Sequence, residues 1–248
     1  MNNKEIKIWY TNADVLRNKM NEATERVNIE EPDIILINEV KPKSETAAIP
    51  KEAEFKIDEK KYQIYSNNLD NENGRGQVMH INRKLQRARL EISKSTKEIM
   101  LFKITLTHQE SLLIALVYRS PSSSERNNNR IIETLEEICK TREKRIIVLG
   151  DFNYKEINWE LGKGKGQDQE DLIKWGERNY MHQHIKETTR QRGDDRPSRL
   201  DLVFTNDEFL IGDIEQQSPL GKSDHDTLVF SINCQHSTIR EIKRRRLY

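Results

Sequence analysis

The segment IIVLGDFNY (residues 146–154) has the pattern of a buried strand that ends in a polar turn. Four consecutive apolar residues, 146–149, are followed by Gly-Asp-Phe-Asn at 150–153. A continuous apolar run bounded by turn residues is typical of a strand that is covered on both faces. In α/β proteins, ligand sites commonly lie just outside the ends of such strands. The segment therefore places Asp151 and Asn153 where a functional site is expected.

Short apolar runs like this one recur along the chain and predict nine strands. They are Ile6–Thr11, Ile34–Asn38, Tyr62–Ser66, Gly76–Asn82, Met100–Thr107, Leu112–Tyr118, Arg145–Leu149, Leu200–Phe204 and Leu228–Ile232. Apolar residues at helical spacing predict three helices, Leu16–Val27, Arg130–Cys139 and Glu170–Arg178, and a serine cluster at 122–124 is available to cap the second. The mixture favours a sheet-rich α/β sandwich over a helix bundle or a pure β barrel. Because no repeat and no Pro- or Gly-rich linker divides the chain, we expect one main domain.

The charge balance excludes a simple polycation that binds nucleic acid by bulk attraction. The 248 residues include 42 Lys and Arg against 41 Asp and Glu, a formal net charge of +1. Basic residues are concentrated at 186–199 and 240–248, which are either phosphate-contacting patches or a solvated loop and tail. No apolar run approaches the length of a membrane span, so no membrane partner is expected. Two cysteines, Cys139 and Cys234, are too few for a disulfide scaffold or a four-cysteine zinc site.

Acidic and amide side chains stand at the ends of five predicted strands. They occur at 12–14, 38–39, 151–153, 201 and 224–226. If these strands share sheets, the side chains converge on one rim, and converging carboxylates favour a bound cation. Ligands that are all oxygen point to Mg²⁺ or Mn²⁺ rather than Zn²⁺. The Asp224-His225 pair suits the orientation and charging of an imidazole for phosphate chemistry.

Seven segments together resemble the endonuclease/exonuclease/phosphatase superfamily, whose fold is that of deoxyribonuclease I. They are YTNADVLRNKMNE (10–22), PDIILINEVKPK (32–43), GRGQVMHI (74–81), LVYRSPSS (116–123), IIVLGDFNY (146–154), RPSRLDLVFTN (196–206) and GKSDHDTLVFSI (221–232). The similarity is greatest to the apurinic-type endonuclease domain of non-LTR, LINE-type retrotransposons. The resemblance implies a four-layer α/β/β/α sandwich, in which helices flank two packed, mainly antiparallel or mixed sheets.

The resemblance also implies a set of site residues. Those expected to be catalytic are Asn12, Glu39, Tyr118, Asp151, Asn153, Asp201 and His225. Those expected to bind Mg²⁺, with Mn²⁺ as a possible substitute, are Glu39, Asp14 and Asp224. We expect DNA contacts from Arg119, Arg190, Arg192, Arg199 and Ser223.

Each implied role has a physical counterpart. Asp151 corresponds to the aspartate that activates the attacking water, and Asn153 and Tyr118 correspond to groups that contact the phosphate. Asp201 is expected to keep His225 protonated, which adds positive charge where the transition state is most negative. Three positions depart from the family pattern. His80 and Gln77 interrupt an apolar strand, where a structural histidine is expected, and Asn38 replaces a common threonine, which affects local hydrogen bonding.

The sequence thus predicts a metal-dependent endonuclease that nicks one strand of duplex DNA and leaves a 3′-hydroxyl that primes reverse transcription. Residues 1–235 would form the nuclease domain, and the basic tail 236–248 would begin a linker to a covalently attached reverse transcriptase. The isolated domain is expected to be a monomer and to act in the nucleus. Two alternatives stay open: an abasic-site repair nuclease or other phosphodiesterase or phosphatase of the same fold, and a catalytically silent module that binds nucleic acid.

Overall fold

The computed structural model describes residues 5–42, 51–70, 74–91, 96–107, 110–141 and 143–234. The strands are β1 Ile6–Asn12, β2 Ile34–Asn38, β3 Tyr62–Asn67, β4 Gln77–Asn82, β5 Arg87–Leu90, β6 Ile99–Thr105, β7 Ser111–Tyr118, β8 Arg145–Asp151, β9 His182–Gln183, β10 Asp201–Thr205, β11 Glu215–Gln217 and β12 Thr227–Ile232. The helices are α1 Met20–Glu30, α2 Glu125–Lys140 and α3 Gln167–Arg178, with 3₁₀ turns at Arg17–Lys19 and Glu52–Phe55. The expected tail at 236–248 lies outside the described residues.

The strands form two mixed sheets of six. The first has the order β11-β12-β1-β2-β4-β3, and the second has the order β5-β6-β7-β8-β10-β9. In each sheet one central pair is parallel, β1 with β2 and β7 with β8, and the other pairs are antiparallel. Because β2, β7 and β8 are almost wholly buried, they appear in the sequence as mainly continuous apolar runs rather than alternating ones.

Three apolar clusters join these sheets and helices into four layers. The central cluster fills the space between the sheets, with residues such as Leu36 of β2 facing Ile114 of β7. A second cluster packs α2 and α3 on the outer face of the second sheet, where Trp175 meets Phe204 at 5.2 Å between ring centroids. A third packs α1 on the outer face of the first sheet through residues that include Val27. The expected α/β/β/α sandwich is confirmed.

A buried polar link crosses the central layer. The Asn38 Nδ2 group donates to the Val117 carbonyl oxygen at 2.8 Å, and Gln77 Nε2 donates to Asn38 Oδ1 at 3.0 Å. Gln77 Nε2 also lies 3.2 Å from the Leu116 carbonyl oxygen. Gln77 and Asn38, two of the three residues that depart from the family pattern, therefore satisfy each other, and they attach the first sheet to β7. His80 is also buried and structural, with Nε2 2.8 Å from the Phe55 carbonyl oxygen.

The predicted elements are present, with differences at their ends. The α2 helix begins five residues earlier than predicted, because the Ser124 hydroxyl accepts the backbone N–H of Asn127 and so starts the helix directly after the serine cluster. The α1 helix begins at Met20 rather than Leu16, after a backbone in the left-handed region at Asp14 and Val15. Strands β5, β9 and β11 were not predicted, since all three are short, polar edge strands. No helix within the described ranges is long and apolar enough to cross a bilayer.

Candidate active site

Strand pairing places three of the expected residues at one end of the second sheet. Tyr118 of β7 lies opposite Asp151 of β8 in the parallel ladder, and Asp201 of β10 lies opposite Asp151 in the antiparallel ladder. Gly150 makes the close approach of β7 and β8 possible, because a Cβ there would lie 1.9 Å from the Val117 carbonyl oxygen. The relative positions of these residues are therefore fixed by sheet register rather than by loop conformation.

Asp151 is fully buried and accepts hydrogen bonds from two asparagines. Asn12, at the end of β1, reaches across from the first sheet and donates from Nδ2 to Asp151 Oδ2 at 2.8 Å. Asn153 donates its backbone N–H to Oδ1 at 3.0 Å and its side-chain Nδ2 to Oδ2 at 2.8 Å. The backbone of Asn153 has a φ of +54°, a left-handed conformation that turns its side chain back onto Asp151. The carboxylate is thus held rigidly from both sheets.

Asp201 stands between His225 and Tyr10. The Nδ1 atom of His225 lies 2.7 Å from Asp201 Oδ2, and the Tyr10 hydroxyl donates to Asp201 Oδ1 at 2.6 Å. One ligand atom each of Asp151, Asp201 and His225 lies within 4.8 Å of the others, and all three side chains are buried. The pairing of Asp201 with His225 that the resemblance implied is present in the structure.

The buried charges shift the pKa of two members of this cluster, His225 and Asp151. Burial alone would lower the pKa of His225, but the charge and hydrogen bond of Asp201, together with Asp151 and Asp224, outweigh it and raise the pKa to about 10. Burial raises the pKa of the Asp151 carboxyl; positive His225 opposes this shift, whereas negative Asp201 and Glu39 add to it. At neutral pH the imidazole is therefore a cation, and the carboxylate beside it has an increased affinity for a proton.

Glu39 and Asp14 lie at the ends of β2 and β1, and a single arginine joins them. Arg75 Nη2 is 2.5 Å from Glu39 Oε2 and 2.6 Å from Asp14 Oδ1. Both acidic residues have a left-handed backbone, with φ of +54° at Glu39 and +37° at Asp14. Tyr118 also hydrogen-bonds Glu39, and burial together with the charges of Glu39 and Asp151 raises the pKa of its hydroxyl, which remains a donor.

Asp224 is paired with a second arginine. Arg190 approaches Asp224 Oδ2 with Nη2 at 2.7 Å and Nε at 2.9 Å, and His225 Nε2 lies 3.7 Å from Asp224 Oδ1. Burial alone would raise the pKa of Asp224, but the positive charges of His225 and Arg190 lower it. Asp224 is thus ionised, and with Glu39 and Asp14 it is one of three carboxylates that line the same cavity.

These groups line one cavity of about 190 Å³. Its walls are Asp14, Glu39, Arg75, Pro121, Asn153, Lys155, Arg190, Arg192, Asp224 and His225. Three carboxylates and an amide oxygen are the donor set that a hard divalent cation such as Mg²⁺ or Mn²⁺ prefers. The buried cluster of Asp151, Asp201 and His225 suits a metal less well, because a protonated imidazole has no lone pair to donate. The fit is therefore best at Glu39, with Asp14 and Asp224 near it.

Arg119 does not reach the cavity. Its side chain is buried, stacks 4.0 Å from the centroid of the Tyr154 ring, and donates from Nε to Asn128 Oδ1 at 2.9 Å and from Nη2 to Asp168 at 3.1 Å. Its backbone carbonyl accepts Asn153 Nδ2 at 2.9 Å. In the structure Arg119 supports the turn that carries Asn153.

Ser223 and Arg199 also lie away from the cavity walls. The Ser223 hydroxyl donates to the Asn12 carbonyl oxygen at 2.7 Å and accepts the backbone N–H of His225 at 3.2 Å. Arg199 lines a larger neighbouring cavity of about 670 Å³, where it lies 3.3 Å from Glu160. The two cavities share Arg190 and Lys155 as wall residues and are therefore adjacent on this face of the protein.

Tyr10 and Arg75 are among the residues of the site that sequence reasoning missed. Tyr10 belongs to a strand that the sequence predicted, but a buried tyrosine hydroxyl needs a partner, and only the packing of β1 against β10 identifies it as Asp201. Arg75 lies between Gly74 and Gly76, a pattern that indicates close backbone approach but does not reveal where the guanidinium points.

Three comparisons relate this geometry to known proteins. A sequence profile described as endonuclease-reverse transcriptase matches residues 112–229. No curated protein sequence matches the chain. Among solved structures, the endonuclease domain of TRAS1, a telomere-specific non-LTR retrotransposon, is similar with a TM-score of 0.72 and 17% identity, over 94% of this chain and 100% of that chain.

Two AP endonucleases have a similar fold. LMAP from Leishmania major matches with a TM-score of 0.72 and 12% identity over 94% of this chain and 88% of that chain. An AP endonuclease from Archaeoglobus fulgidus matches with a TM-score of 0.61 and 14% identity over 92% of this chain and 99% of that chain. At these identities the structures establish a shared fold, and the profile adds sequence evidence over β7 to β12. Together with the expected constellation of strand-end residues, they show that the chain has the fold of these endonucleases and is similar in sequence, over residues 112–229, to the endonuclease-reverse transcriptase family.

Proposed function

We propose that the protein is a metal-dependent DNA endonuclease that nicks one strand of a duplex and leaves a 3′-hydroxyl. The observation that carries the proposal is the convergence of two sheets on one cavity, whose walls include Glu39 and a charged His225, with Asp151 buried directly behind the wall residue Asn153. Hydrolysis of a phosphodiester needs an activated water, positive groups beside the negatively charged nonbridging oxygens, and stabilisation of the leaving oxygen. The site holds a group suited to each need.

Asp151 is the group suited to accept the proton of the attacking water. Burial increases its proton affinity, and hydrogen bonds from Asn12 and Asn153 fix its orientation. His225 carries positive charge because Asp201 stabilises its protonated form, and it would face a nonbridging phosphate oxygen. Tyr118, as a protonated donor, would contact the same phosphate. The Asp201–His225 pair thus acts by charge and position, and Asp151 acts by proton transfer.

Glu39, with Asp14 and Asp224 near it, would hold the divalent cation. Bound there, Mg²⁺ or Mn²⁺ would supply positive charge to the phosphate and to the leaving 3′ oxygen. All three carboxylates reach the cavity, whereas Asp201 is already committed to Tyr10 and His225. The ions that need testing are therefore those that prefer oxygen ligands.

Double-stranded DNA is the proposed substrate. The cavity carries Lys155, Arg190 and Arg192 beside its carboxylates, and it adjoins the larger cavity that Arg196 and Arg199 line. Cationic side chains along such a path suit the phosphates of a strand on either side of the cut. The match to an endonuclease-reverse transcriptase profile supports a nick that primes reverse transcription by a covalently linked polymerase. We place this activity in the nucleus, with the isolated domain acting as a monomer.

Nicking of supercoiled plasmid tests the proposal. The wild-type protein should form relaxed circles only with Mg²⁺ or Mn²⁺, and a DNA polymerase should extend the nicks directly, which requires a 3′-hydroxyl. Glu39→Ala should form none, whereas Glu25→Ala, at an exposed position of α1, should match the wild type. Intact plasmid in both metals would contradict the proposal. Relaxed circles that resist extension would contradict the 3′-hydroxyl.

Cleavage at abasic sites is the second candidate, favoured by the shared fold with two AP endonucleases. An oligonucleotide duplex with one tetrahydrofuran abasic analogue, compared with the same duplex without it, separates the two functions. A strong preference for the analogue would identify a repair activity. Equal cleavage of both duplexes would favour the nicking of undamaged target DNA.

A further inference from the structure

Arg75 is in contact with both acidic residues that end the two parallel strands of the first sheet. Its Nη2 atom lies 2.5 Å from Glu39 Oε2 and 2.6 Å from Asp14 Oδ1, and its side chain is only 18% exposed. These contacts are ion pairs with the carboxylates that fit a hard cation best. The guanidinium therefore neutralises the same oxygens that a divalent ion would bind.

The backbone around Arg75 is fixed to the strand end that carries Glu39. Lys41 donates its N–H to the Arg75 carbonyl oxygen at 3.0 Å, and the next residue, Gly76, has a φ of +70°. A Cβ at Gly76 would lie 2.9 Å from a methyl group of Val40, so the two segments are as close as glycine permits. Release of the carboxylates would thus require movement of the arginine side chain and not of the backbone.

Not every hydrogen-bond donor of the Arg75 guanidinium has a partner among the described residues. Arg75 Nε is buried and has no hydrogen-bond partner within the part of the chain that the structure describes. A buried donor without a partner loses its hydration without compensation, which weakens the preference of the side chain for this position. The ion pairs with Glu39 and Asp14 are therefore opposed by a local cost.

We propose that Arg75 is an internal counter-ion that a divalent cation must displace from Glu39 and Asp14. This inference rests on the proposed metal dependence of the site. A cation and a guanidinium cannot both contact the same two carboxylates without strong repulsion between them. Arg75 therefore holds the acidic pair together when no metal is bound, and it raises the metal concentration at which the site fills.

Calorimetric titration with Mn²⁺ and with Mg²⁺ tests the proposal without any measurement of cleavage. Arg75→Gln removes the competing charge, so its dissociation constant for Mn²⁺ should fall by about tenfold, the equivalent of one modest ion pair. Arg75→Lys retains the charge and should bind Mn²⁺ nearly as the wild type does. The control is Arg83→Gln, at an exposed arginine outside the cavity. Unchanged or weaker Mn²⁺ binding by Arg75→Gln would overturn the proposal.

A second measurement uses the wild-type protein, in case Arg75→Gln does not fold without metal. The side-chain Nε–H resonance of Arg75 in ¹⁵N NMR should shift with added Mg²⁺, at the midpoint found by calorimetry. A resonance that stays in place while Mg²⁺ binds would overturn the displacement. If Mg²⁺ and Mn²⁺ bind to neither wild type nor variants, the metal dependence in the proposed function fails too. Binding that is equal in wild type and Arg75→Gln removes the Arg75 inference alone.

Discussion

Tyr10 and Asp201 belong to different sheets and are joined by a buried hydrogen bond of 2.6 Å between the tyrosine hydroxyl and the carboxylate. Asp201 uses its other oxygen for His225, so Tyr10 fixes the rotation of the carboxylate that orients the imidazole. Asn38 lies 3.3 Å from the same hydroxyl and belongs to the polar link between the sheets. The position of His225 therefore depends on how the two sheets are packed.

Tyr10→Phe should slow nicking while DNA binding stays unchanged, because Tyr10 positions Asp201 and does not face the cavity. We expect a rate loss of about tenfold and a stability loss of about 1 kcal/mol, as for one buried hydrogen bond. Single-turnover rates and DNA dissociation constants separate these two effects. Tyr180→Phe, at a tyrosine that is 82% exposed, is the control. Weaker DNA binding at an unchanged rate would remove Tyr10 from the positioning role.

Asp201→Asn should abolish most activity and leave the fold intact. The amide keeps the shape of the carboxylate but not its charge, so burial would leave His225 neutral near pH 7. We expect a rate loss of roughly a hundredfold or more, within the range typical of loss of an acid–base or electrostatic group. The measurement is plasmid nicking, with circular dichroism to check the fold. Near-wild-type nicking would refute the assigned role of the pair.

Gly150→Ala should unfold or strongly destabilise the protein. The φ of +142° and the 1.9 Å approach of a Cβ to the Val117 carbonyl oxygen leave no room for a side chain between β7 and β8. We expect a loss of about 3 kcal/mol or more in the free energy of unfolding. The matched control is Gly162→Ala, where φ is +59° but nothing lies within 4 Å of the added methyl, with an expected loss of about 1 kcal/mol. Urea unfolding of the two variants makes the comparison; equal losses would contradict it.

His80 should make the protein sensitive to acid. Burial lowers the pKa of His80 to about 4, below its ordinary value of 6.5, even though the hydrogen bond to the Phe55 carbonyl acts in the opposite direction. The unfolded chain therefore binds the proton more readily, and stability is lost as the pH falls from 6.5 toward 4. The loss should be roughly 1 kcal/mol per pH unit across that window. Urea unfolding at a series of pH values from about 7 to about 4.5 gives the free energy of unfolding as a function of pH. This free energy should fall less steeply with decreasing pH in His80→Gln than in the wild type; equal slopes would exclude His80 as the cause.

Replacement of Arg190, Arg192 and Arg199 with alanine should reduce the salt dependence of DNA binding. The slope in question is that of the logarithm of the DNA-binding constant against the logarithm of salt concentration. Because Arg190 is already paired with Asp224, we expect the magnitude of this slope to fall by about two rather than three. Binding isotherms at salt concentrations from about 50 to about 300 mM, a range that brackets physiological ionic strength, would measure the slope. Arg126→Ala with Arg130→Ala, on the exposed face of α2, is the control. An unchanged slope in the triple variant would remove these residues from the interface.

The fold class, and the convergence of most of the expected strand-end residues on one region, could be predicted from the sequence for a physical reason. Buried central strands such as β8 must be continuously apolar, and the polar residues that end them, such as Asp151, are therefore conspicuous. Side-chain partners across sheets leave no such mark. That Asn38 and Gln77 satisfy each other, or that Arg119 supports Asn153 and does not point into the cavity, depends on packing between residues distant along the chain.

The same register that aligns Asp151 with Asp201 means that strands β8 and β10 tolerate fewer sequence changes than the loops outside the ladder. Because side chains alternate between the faces of a strand, the insertion of one residue in β8 or β10 would turn one aspartate away from the other and destroy the site. The tip of the loop between the bridged residues Arg190 and Ser198 contributes Arg192, Asp195 and Arg196 to cavity walls without belonging to that ladder, so its composition can change while the chemistry is inherited intact. Under the proposed function, exchange of this loop tip would change which DNA the protein contacts without altering the ladder that carries the two aspartates.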